Sequence, residues 1–389
     1  MKSIKSIHTK WLIIWILSLS LISCKKNTST ALIVFDVTAN YPVKTLDIEE
    51  VSDIEYLTLE INDDFLFRSF TAMTDSYILC TGMYEIIFFD RITGKAVSKV
   101  SRRGQGPGEY NSYSRYVYDE KKDELFLNDG FEIKVYGKDG TFKRKFSFME
   151  TRFFIHKLFD YDDEHLLLYG YPSQLFVSQN VSSLKDTSFL LVSKQDGFID
   201  SIIPIPFEER ISIVISQGSV GGFAEVNAAI RNGNDFLLTD YSSDTVYHFT
   251  PDRQLIPVLV RTPSIQKMET KIFLHSWLET GNYLFFSTQK IDFDWNTQQW
   301  PPAKGYLKEK KTGKFFQTNI RMNDYKEKEF ILGPAVIYNC PNQQTGIIVF
   351  SALELKDAYR DNKLSGKLKE ATERLTEDDE YVFMILKFK

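Results

Sequence analysis

The residues best suited to chemistry in this 389-residue chain are two aspartates and two tryptophans within one short stretch. Asp292 and Asp294 alternate with aromatic residues up to Trp295, and Trp300 stands before a Pro-Pro pair. An exposed indole ring stacks on the apolar face of a sugar, and carboxylates accept hydrogen bonds from its hydroxyl groups. These four residues are our candidate ligand platform. The alternative interpretation is a loop whose aromatic rings fold down onto the protein.

A glycine-rich segment, RGQGPGEY at residues 103–110, is a second candidate. Its backbone N–H groups can converge on an anion, but a nucleotide phosphate loop also requires a Lys-Ser/Thr pair and a following helix, which are absent. We expect Gly106 to need backbone angles that a β-branched residue disfavours. The segment is therefore either a fixed turn between two sheets or a binding loop. The residues of that candidate loop are Arg102, Arg103, Gly104, Gly106, Gly108, Glu109 and Tyr110.

No catalytic residue, metal ligand or cofactor can be assigned from the sequence. HExxH, CxxC and EF-hand patterns are absent, and so is the Gly-x-Ser-x-Gly pattern of a serine nucleophile. The polar residues Asn128, Asp129 and Asp240 would have to converge on one axis to hold a metal ion, and a single sequence does not reveal such convergence. Four histidines lie in separate strand-like segments: His156, His165, His248 and His275.

Composition excludes several classes of protein. The chain has 31 Phe and 20 Tyr, against 20 Gly and 12 Pro, which excludes a disordered or collagen-like chain. Abundant aromatic and β-branched residues favour β-sheet. The formal net charge is −5 and basic residues form only short pairs, so the composition argues against a nucleic-acid partner.

The first 24 residues have the pattern of a targeting segment. Three lysines precede the apolar run at residues 11–20, which is too short to span a bilayer alone. Leu21-Ile22-Ser23-Cys24 resembles the bacterial lipobox, so we expect removal of residues 1–23 and acylation of Cys24; the alternative is a plain secretory signal. Lys25-Lys26 follows, without the acidic residue that favours inner-membrane retention. We therefore expect an anchor in the outer membrane, followed by a linker up to residue 45.

Two further cysteines, Cys80 and Cys340, stand in strand-like runs. An exported protein can form a disulfide, but strand-like runs of this kind favour two buried thiols. The sequence leaves their pairing open.

One module recurs five times: an alternating apolar run, a turn containing Gly or Asp, and a second alternating run. The paired runs occupy residues 85–90 and 95–100, 132–136 and 141–146, 189–193 and 198–203, 245–249 and 254–260, and 305–309 and 314–320. The turns contain Gly94, Gly140, Gly197 and Gly313, with Asp252 in the fourth module. Glycine supplies the positive φ of a hairpin turn. Another strand or two precede each pair, so each repeat has about four strands, which is typical of a β-propeller blade.

The two ends of the chain supply a sixth unit. Residues 345–350 and 381–387 are strand-like, and residues 54–59 form a strand without a hairpin partner. Pairing of residues 54–59 with residues 381–387 would close the ring and remove an open sheet edge. A helical spacing predicts one short helix between the C-terminal strands, with the stripe Leu364, Leu368, Ala371 and Leu375. We therefore predict an all-β, six-bladed propeller of four-stranded antiparallel blades over residues 46–389.

Three segments resemble one known family. The GxGPGEY string within residues 103–110, IEYLTLE at residues 54–60 and LTEDDEYVFMILKFK at the C-terminus resemble the six-bladed β-propeller lipoproteins of Bacteroides-type bacteria, a domain of unknown function. This chain has Glu380-Tyr381 where that family usually has Asn-Pro. The resemblance implies the fold and a location in the cell envelope, and it implies no activity.

Three functions remain open. The first is a non-catalytic binding or scaffold protein that recognises a glycan, a peptide or a protein through one face of the propeller. The second is a metal-dependent enzyme at the channel mouth, similar to propeller lactonases and lyases. The third is a structural accessory of an outer-membrane uptake complex. We favour the first, because clusters of titratable residues are scarce in the sequence.

Overall fold

The computed structural model describes most of the chain. The described residues are 32–113, 115–148, 151–172, 187–212, 214–217, 220–223, 228–333, 336–340 and 343–389. In these ranges no helix has the length and apolar character needed to cross a bilayer. The predicted signal peptide and Cys24 lie outside the described residues.

The described residues form β-strands almost throughout, with two short α-helices. The strands are, in chain order, β1 (Ile33–Asp36), β2 (Val43–Asp47), β3 (Ser52–Thr58), β4 (Ser69–Met73), β5 (Tyr77–Thr81), β6 (Ile86–Asp90), β7 (Ala96–Val100), β8 (Arg115–Asp119), β9 (Glu124–Asp129), β10 (Glu132–Tyr136), β11 (Phe142–Ser147), β12 (Phe153–Asp160), β13 (His165–Pro172), β14 (Phe189–Ser193), β15 (Ile199–Ile203), β16 (Val214–Gln217), β17 (Val220–Phe223), β18 (Ala229–Asn232), β19 (Asp235–Thr239), β20 (Thr245–Phe249), β21 (Leu255–Thr262), β22 (Ile272–Glu279), β23 (Tyr283–Lys290), β24 (Lys304–Glu309), β25 (Phe315–Arg321), β26 (Glu329–Phe330), β27 (Ile337–Cys340), β28 (Gln343–Ser351) and β29 (Tyr381–Phe388). The helices are α1 (Ala352–Arg360) and α2 (Gly366–Glu373).

Within the described ranges, six sheets contain four strands or more. Sheets 1 to 5 are the antiparallel meanders β4–β7, β8–β11, β12–β15, β18–β21 and β22–β25, and sheet 6 contains β27, β28, β29 and β3. A separate two-stranded hairpin, β16–β17, lies in the connection between sheets 3 and 4. The five repeated strand pairs predicted from the sequence are confirmed, each as the third and fourth strands of one sheet.

The predicted hairpin turns are confirmed by their backbone angles. The turn glycines all have positive φ: Gly94 (70°), Gly140 (81°), Gly197 (74°) and Gly313 (73°). In the fourth module the residue with positive φ is Arg253, at 63°, directly after the predicted turn residue Asp252. The alternating runs on either side of each turn therefore have the register that a tight antiparallel hairpin requires.

The core lies between neighbouring sheets. A central strand with another sheet on each side buries both of its faces, so its sequence is almost continuously apolar. In β6, for example, the four residues from Ile86 to Phe89 have no exposed surface. The ring of Phe88 contacts the ring of Tyr118 in sheet 2, with 4.9 Å between their centroids. Such contacts attach each sheet to the next and hold the loops at the sheet ends in fixed positions.

The predicted pairing of the two chain ends is confirmed. β3 lies antiparallel to β29 along its whole length, from Thr58 opposite Val382 to Ser52 opposite Phe388. The backbone N–H of Lys389 donates to the carbonyl of Val51 at 3.0 Å. Sheet 6 is therefore completed by an N-terminal strand.

The prediction of a linker up to residue 45 is wrong for the described part of that segment. β1 adds to sheet 4 as a strand parallel to β21, and β2 adds to sheet 5 as a strand parallel to β25. Phe35 of β1 is fully buried against aromatic rings of sheet 5. Such short strands pair with partners more than 200 residues away, so no local turn signal announces them.

The prediction of a single C-terminal helix is also wrong. Two helices, α1 and α2, occupy the connection between β28 and β29. Leu364 lies between them in a bridge with Tyr325, and Leu375 lies beyond the end of α2. Asn362 has a φ of 56°, which ends α1, and Ser365 in extended conformation begins α2. Leu364 and Leu368 of the predicted stripe are nevertheless buried.

Loops of two kinds leave the sheets at the same end. Because antiparallel strands alternate in direction, the loop from the second to the third strand and the loop to the next sheet share one end, which we call the upper face. Hydrogen bonds join them: the Tyr110 hydroxyl donates to the Tyr84 carbonyl at 2.5 Å, and the Ile211 N–H donates to Ser242 Oγ at 2.9 Å. Both candidate sites from the sequence, and both helices, lie on this face.

Candidate functional site

The candidate ligand platform lies in the upper-face loop between β23 and β24, which we call the aromatic loop (residues 291–303). Phe293, which the sequence analysis did not single out, holds the two tryptophans together. Its ring meets the rings of Trp295 and Trp300 edge to face, at centroid distances of 4.9 and 5.1 Å. Trp300 also packs against a buried cluster that includes Tyr241 and Phe273. Trp300 therefore folds onto the protein and supports the loop, whereas Trp295 lies half-buried at the surface of the loop, where the ligand platform stays a prediction.

The two aspartates of the aromatic loop are exposed. Asp294 Oδ1 accepts hydrogen bonds from the backbone N–H groups of Asn296, at 2.8 Å, and Thr297, at 3.3 Å. These bonds, that from Asn296 first, lower the pKa of Asp294 below its usual value. The carboxylate is therefore charged at neutral pH and also fixes the turn. Asp292 stands two residues earlier on the same exposed surface.

The glycine-rich segment connects β7 of sheet 1 to β8 of sheet 2, as predicted. Its anchor is Tyr110, which is fully buried and whose hydroxyl accepts from the N–H of Arg102 at 3.3 Å. The Arg102 side chain donates from Nε to the Gly140 carbonyl at 2.9 Å, and the Arg103 guanidinium lies 3.7 Å from the centre of the Tyr84 ring. The polar groups of the segment thus bind the protein itself, which supports the interpretation as a fixed turn.

The expectation about Gly106 is wrong in its reason. Gly106 is not among the described glycines with positive φ, so its backbone angles are open to other residues. The space available for a side chain explains better why glycines stand at these positions. A Cβ atom at Gly104 would lie 1.9 Å from Glu109 Oε2, whereas at Gly106 it would lie 3.1 Å from that atom. Glu109 Oε2 accepts a hydrogen bond from the Gly106 N–H at 2.9 Å, and this bond closes the turn.

We expect Gly104→Ala to break that bond, because the new methyl group displaces the Glu109 carboxylate. The expected loss is about 1 kcal/mol in the free energy of unfolding, the usual contribution of one hydrogen bond. Urea denaturation of Gly104→Ala, Glu109→Ala and the double variant measures it. In the Glu109→Ala background, Gly104→Ala should cost much less, and equal costs in both backgrounds would contradict this account.

Asn128 and Asp129 do not converge on a metal site. The Lys134 ammonium lies 2.6 Å from Asp129 Oδ2 and also donates to the Glu109 carbonyl at 2.6 Å. Asn128 Nδ2 donates to the Gly130 carbonyl at 3.0 Å. These residues support the glycine-rich segment from below. Lys134 and Asp129 are almost fully buried and neutralise one another.

Asp240 lies in the upper-face loop of sheet 4 and is buried. Its carboxylate accepts from Ser188 Oγ at 2.6 Å and from the Ser242 N–H at 2.7 Å. The guanidinium of Arg210 lies 3.6 Å away. Sequence reasoning missed Arg210, because it follows β15 in a loop without any motif. Asp240 is thus satisfied by local donors and an arginine.

The four histidines stay apart. His156 and His275 are buried, and burial lowers the pKa of each to about 4. His165 pairs with Asp162 at 2.9 Å, and His248 pairs with Asp235 at 2.7 Å. Across the described ranges, no group of three His, Cys, Asp or Glu side chains is arranged to hold a metal ion. Two of the four histidines, His165 and His248, are each paired with one aspartate.

Cys80 is a buried free thiol, and burial raises its pKa above the ordinary value. The side chain of Cys340 lies outside the described residues. The same holds for Cys24, the expected lipidation site.

Comparison with known proteins identifies the family. The sequence profile of the family described as "Domain of unknown function (DUF4934)" matches residues 32–387. Among solved structures, the chain is similar to a protein of Bacteroides fragilis NCTC 9343 named as an exported protein, with a TM-score of 0.62 and 16% identity, covering 92% of this chain and 99% of that one. A member of the DUF4221 family from Bacteroides vulgatus ATCC 8482 has a TM-score of 0.49 and 10% identity, covering 87% of this chain and 99% of that one. No curated protein matches.

At these identities the likeness concerns the fold alone, an all-β propeller. The family match, by contrast, spans almost all of the described residues. The protein therefore belongs to the DUF4934 family, a domain of unknown function.

Proposed function

We propose that this protein is a lipid-anchored binding module of the cell envelope, which recognises a glycan through the upper face of its propeller without catalysing a reaction. In this proposal Cys24 carries the lipid and the anchor is in the outer membrane. The lipobox-like Leu21-Ile22-Ser23-Cys24 supports the anchor. An address outside the cytoplasm is supported by the Bacteroides fragilis protein named as exported.

We also propose that the six sheets are six blades of one ring, closed by β3. The support for this arrangement is that six separate sheets of at least four strands follow one another among the described residues. The addition of β3 to sheet 6 removes the open edge that an uncompleted ring would present.

The observation that carries the glycan proposal is the aromatic loop. Trp295 lies half-buried at the surface, held by Phe293, between two exposed carboxylates, Asp292 and Asp294. An indole face and two acceptor groups on one loop provide both the apolar contact and the hydrogen bonds that a sugar ring requires.

We expect Trp295→Ala to abolish the stabilisation of the protein by a glycan, because it removes the stacking surface. Trp300→Ala should instead lower the melting temperature of the unliganded protein by several degrees, since that ring packs on the core. Thermal unfolding with a panel of oligosaccharides measures both effects, as a ligand that binds the folded state raises the melting temperature.

Tyr359→Ala is the matched control, because Tyr359 is an exposed ring on α1, outside the aromatic loop. Trp295→Phe keeps an aromatic face and should retain part of the binding. If Trp295→Ala melts several degrees lower without any ligand, the ring belongs to the core and the proposed platform is wrong.

A further inference from the structure

A second surface on the upper half of the propeller lies on sheet 3. The register of its first strand, β12, shifts between Ile155 and Lys157, which places His156 in a bulge. Bulges bend a strand and redirect side chains, and they are frequent beside binding sites. Just before the bulge, Phe154 lies opposite Tyr171 of β13. The irregular strand thus brings three rings to one place.

These three rings form an aromatic surface. The His156 ring lies 4.7 Å from the Tyr171 ring and 5.1 Å from the Phe154 ring. The Phe154 side chain is 39% exposed. His156 is buried beneath the other two rings. The exposed part of the surface is therefore a pair of tilted, uncharged rings, Phe154 and Tyr171.

Two arginines flank this surface. Arg115, exposed on the first strand of sheet 2, donates from Nε to the His156 carbonyl at 2.7 Å. On the other side, the Arg210 guanidinium lies 5.8 Å from the centre of the Tyr171 ring. Burial first, and then the charges of Arg115, Lys157 and Arg210, lower the pKa of His156 to about 4. The imidazole is therefore neutral at neutral pH, and the positive charge of the surface comes from its flanks.

Arg210 is held in place by the protein. Its Nη2 donates to the Thr187 carbonyl at 3.0 Å, and its guanidinium lies 4.8 Å from the centre of the Phe207 ring. Its Nε atom is buried without a hydrogen-bond partner among the described residues. Its guanidinium also lies 3.6 Å from Asp240 Oδ2, a carboxylate that accepts hydrogen bonds from Ser188 and Ser242 as well. This one carboxylate uses only part of the five N–H donors of an arginine, so Arg210 can still donate to a bound anion.

We propose that Arg115, Phe154, Tyr171 and Arg210 form a binding site for a carboxylated sugar, with the sugar ring on the aromatic pair and its carboxylate beside the guanidinium groups. An arginine fork binds a carboxylate through two parallel hydrogen bonds, and aromatic faces accept the C–H groups of a sugar. The net charge of −5 disfavours a long polyanion such as a nucleic acid. A short uronate oligomer combines one flat apolar face with one charge per ring.

The site is independent of the aromatic loop on sheet 5, so it goes beyond the proposed function. The test is isothermal titration calorimetry of the purified protein with a trimer of galacturonic acid. Maltotriose, which has no charge, is the matched neutral ligand. The expected result is binding of the acidic trimer, with an affinity at least about tenfold above that for maltotriose, and weakening at high salt.

Arg115→Gln should weaken binding of the acidic trimer at least about tenfold. Its melting temperature should fall only slightly, because the lost hydrogen bond to the His156 carbonyl contributes about 1 kcal/mol. Phe154→Ala should also weaken binding of the acidic trimer, because it removes one of the two aromatic faces. The control variant is Arg374→Gln. Arg374 lies on the upper face with 81% of its side chain exposed, and this variant should bind the acidic trimer like the wild type.

Two results would overturn the inference: equal affinity for both trimers, or full affinity for the acidic trimer in Arg115→Gln. If Trp295→Ala abolishes acidic binding while Arg115→Gln does not, the sugar lies on the aromatic loop, which supports the proposed function and refutes this site. If Trp295→Ala retains acidic binding and Arg115→Gln loses it, this site holds whatever the outcome for neutral glycans. A sulfated trisaccharide that binds as tightly as the uronate would show selection for charge alone and contradict the carboxylate assignment.

Discussion

Replacing Lys194 with methionine is expected to lower the free energy of unfolding by about 3–5 kcal/mol, the cost of leaving buried charge without its partner. The Lys194 ammonium lies 2.5 Å from Asp119 Oδ2 and 2.6 Å from Asp160 Oδ1. Its side chain is only 3% exposed, and that of Asp119 only 5%. Methionine fills similar space but leaves two carboxylates facing each other away from water.

The fold explains why one lysine serves two aspartates. In sheets 3 and 5, the residue after the third strand is a lysine that pairs with the acidic residue ending the first strand: Lys194 with Asp160, and Lys310 with Glu279. Sheet 2 has Gly137 at that position, so it provides no lysine for Asp119. Lys194 therefore connects sheets 2 and 3.

Lys310→Met is the matched control. The Lys310–Glu279 pair is 33% and 37% exposed in its side chains, so its loss should cost no more than about 1 kcal/mol. Urea denaturation at pH 7 measures both variants. Burial already raises the pKa of Asp160 in the wild type, so the penalty for its charge is present above that raised pKa and falls as the pH decreases toward it. The defect of Lys194→Met should accordingly shrink at lower pH. Equal stability of the two variants at pH 7 would refute the buried-charge account.

The second large effect is expected at the other end of the chain. Phe35→Ala should release the N-terminal segment (residues 32–47), because it removes a buried ring whose truncation typically costs about 3–5 kcal/mol. The Phe35 ring contacts Phe286 at 4.6 Å, Tyr306 at 5.1 Å, Tyr41 at 5.2 Å and Phe315 at 5.3 Å. These contacts hold the segment across sheets 4 and 5.

Hydrogen exchange with mass spectrometry measures the release. Backbone amides in residues 32–42 should exchange far faster in Phe35→Ala than in the wild type, while those of sheets 1 to 3 stay protected. Val34→Ala is the control, since Val34 is its neighbour on β1 and is 57% exposed. Unchanged protection in Phe35→Ala would mean that strand pairing alone holds the segment.

The features predicted correctly from the sequence are those specified by neighbouring residues. The hairpins follow from alternation around turn glycines such as Gly140, and both are local signals. The closing strand was found by elimination, as an apolar run without a local partner. Two features that were missed, the parallel addition of β1 and the sharing of Lys194, depend on contacts between distant residues.

The same distinction applies to the candidate sites. The aromatic loop is conspicuous because its unusual residues are contiguous, yet only packing separates the roles of Trp295 and Trp300. Arg115 comes near His156 only after sheets 2 and 3 have packed together. The bulge at His156 has no sequence signature, since an extra residue in one strand is defined only by its partner strand.

The pairing of β3 with β29 also determines when sheet 6 can form during synthesis. Residues 52–58 are synthesised more than 300 residues before their hydrogen-bonding partner, β29. Until β29 has been synthesised, β3 has no strand to pair with, and sheet 6 consists of β27 and β28 alone. Loops that close over such long separations form slowly, and unmated strands invite association between molecules. A nascent copy therefore stays prone to association until residues 381–388 have been synthesised.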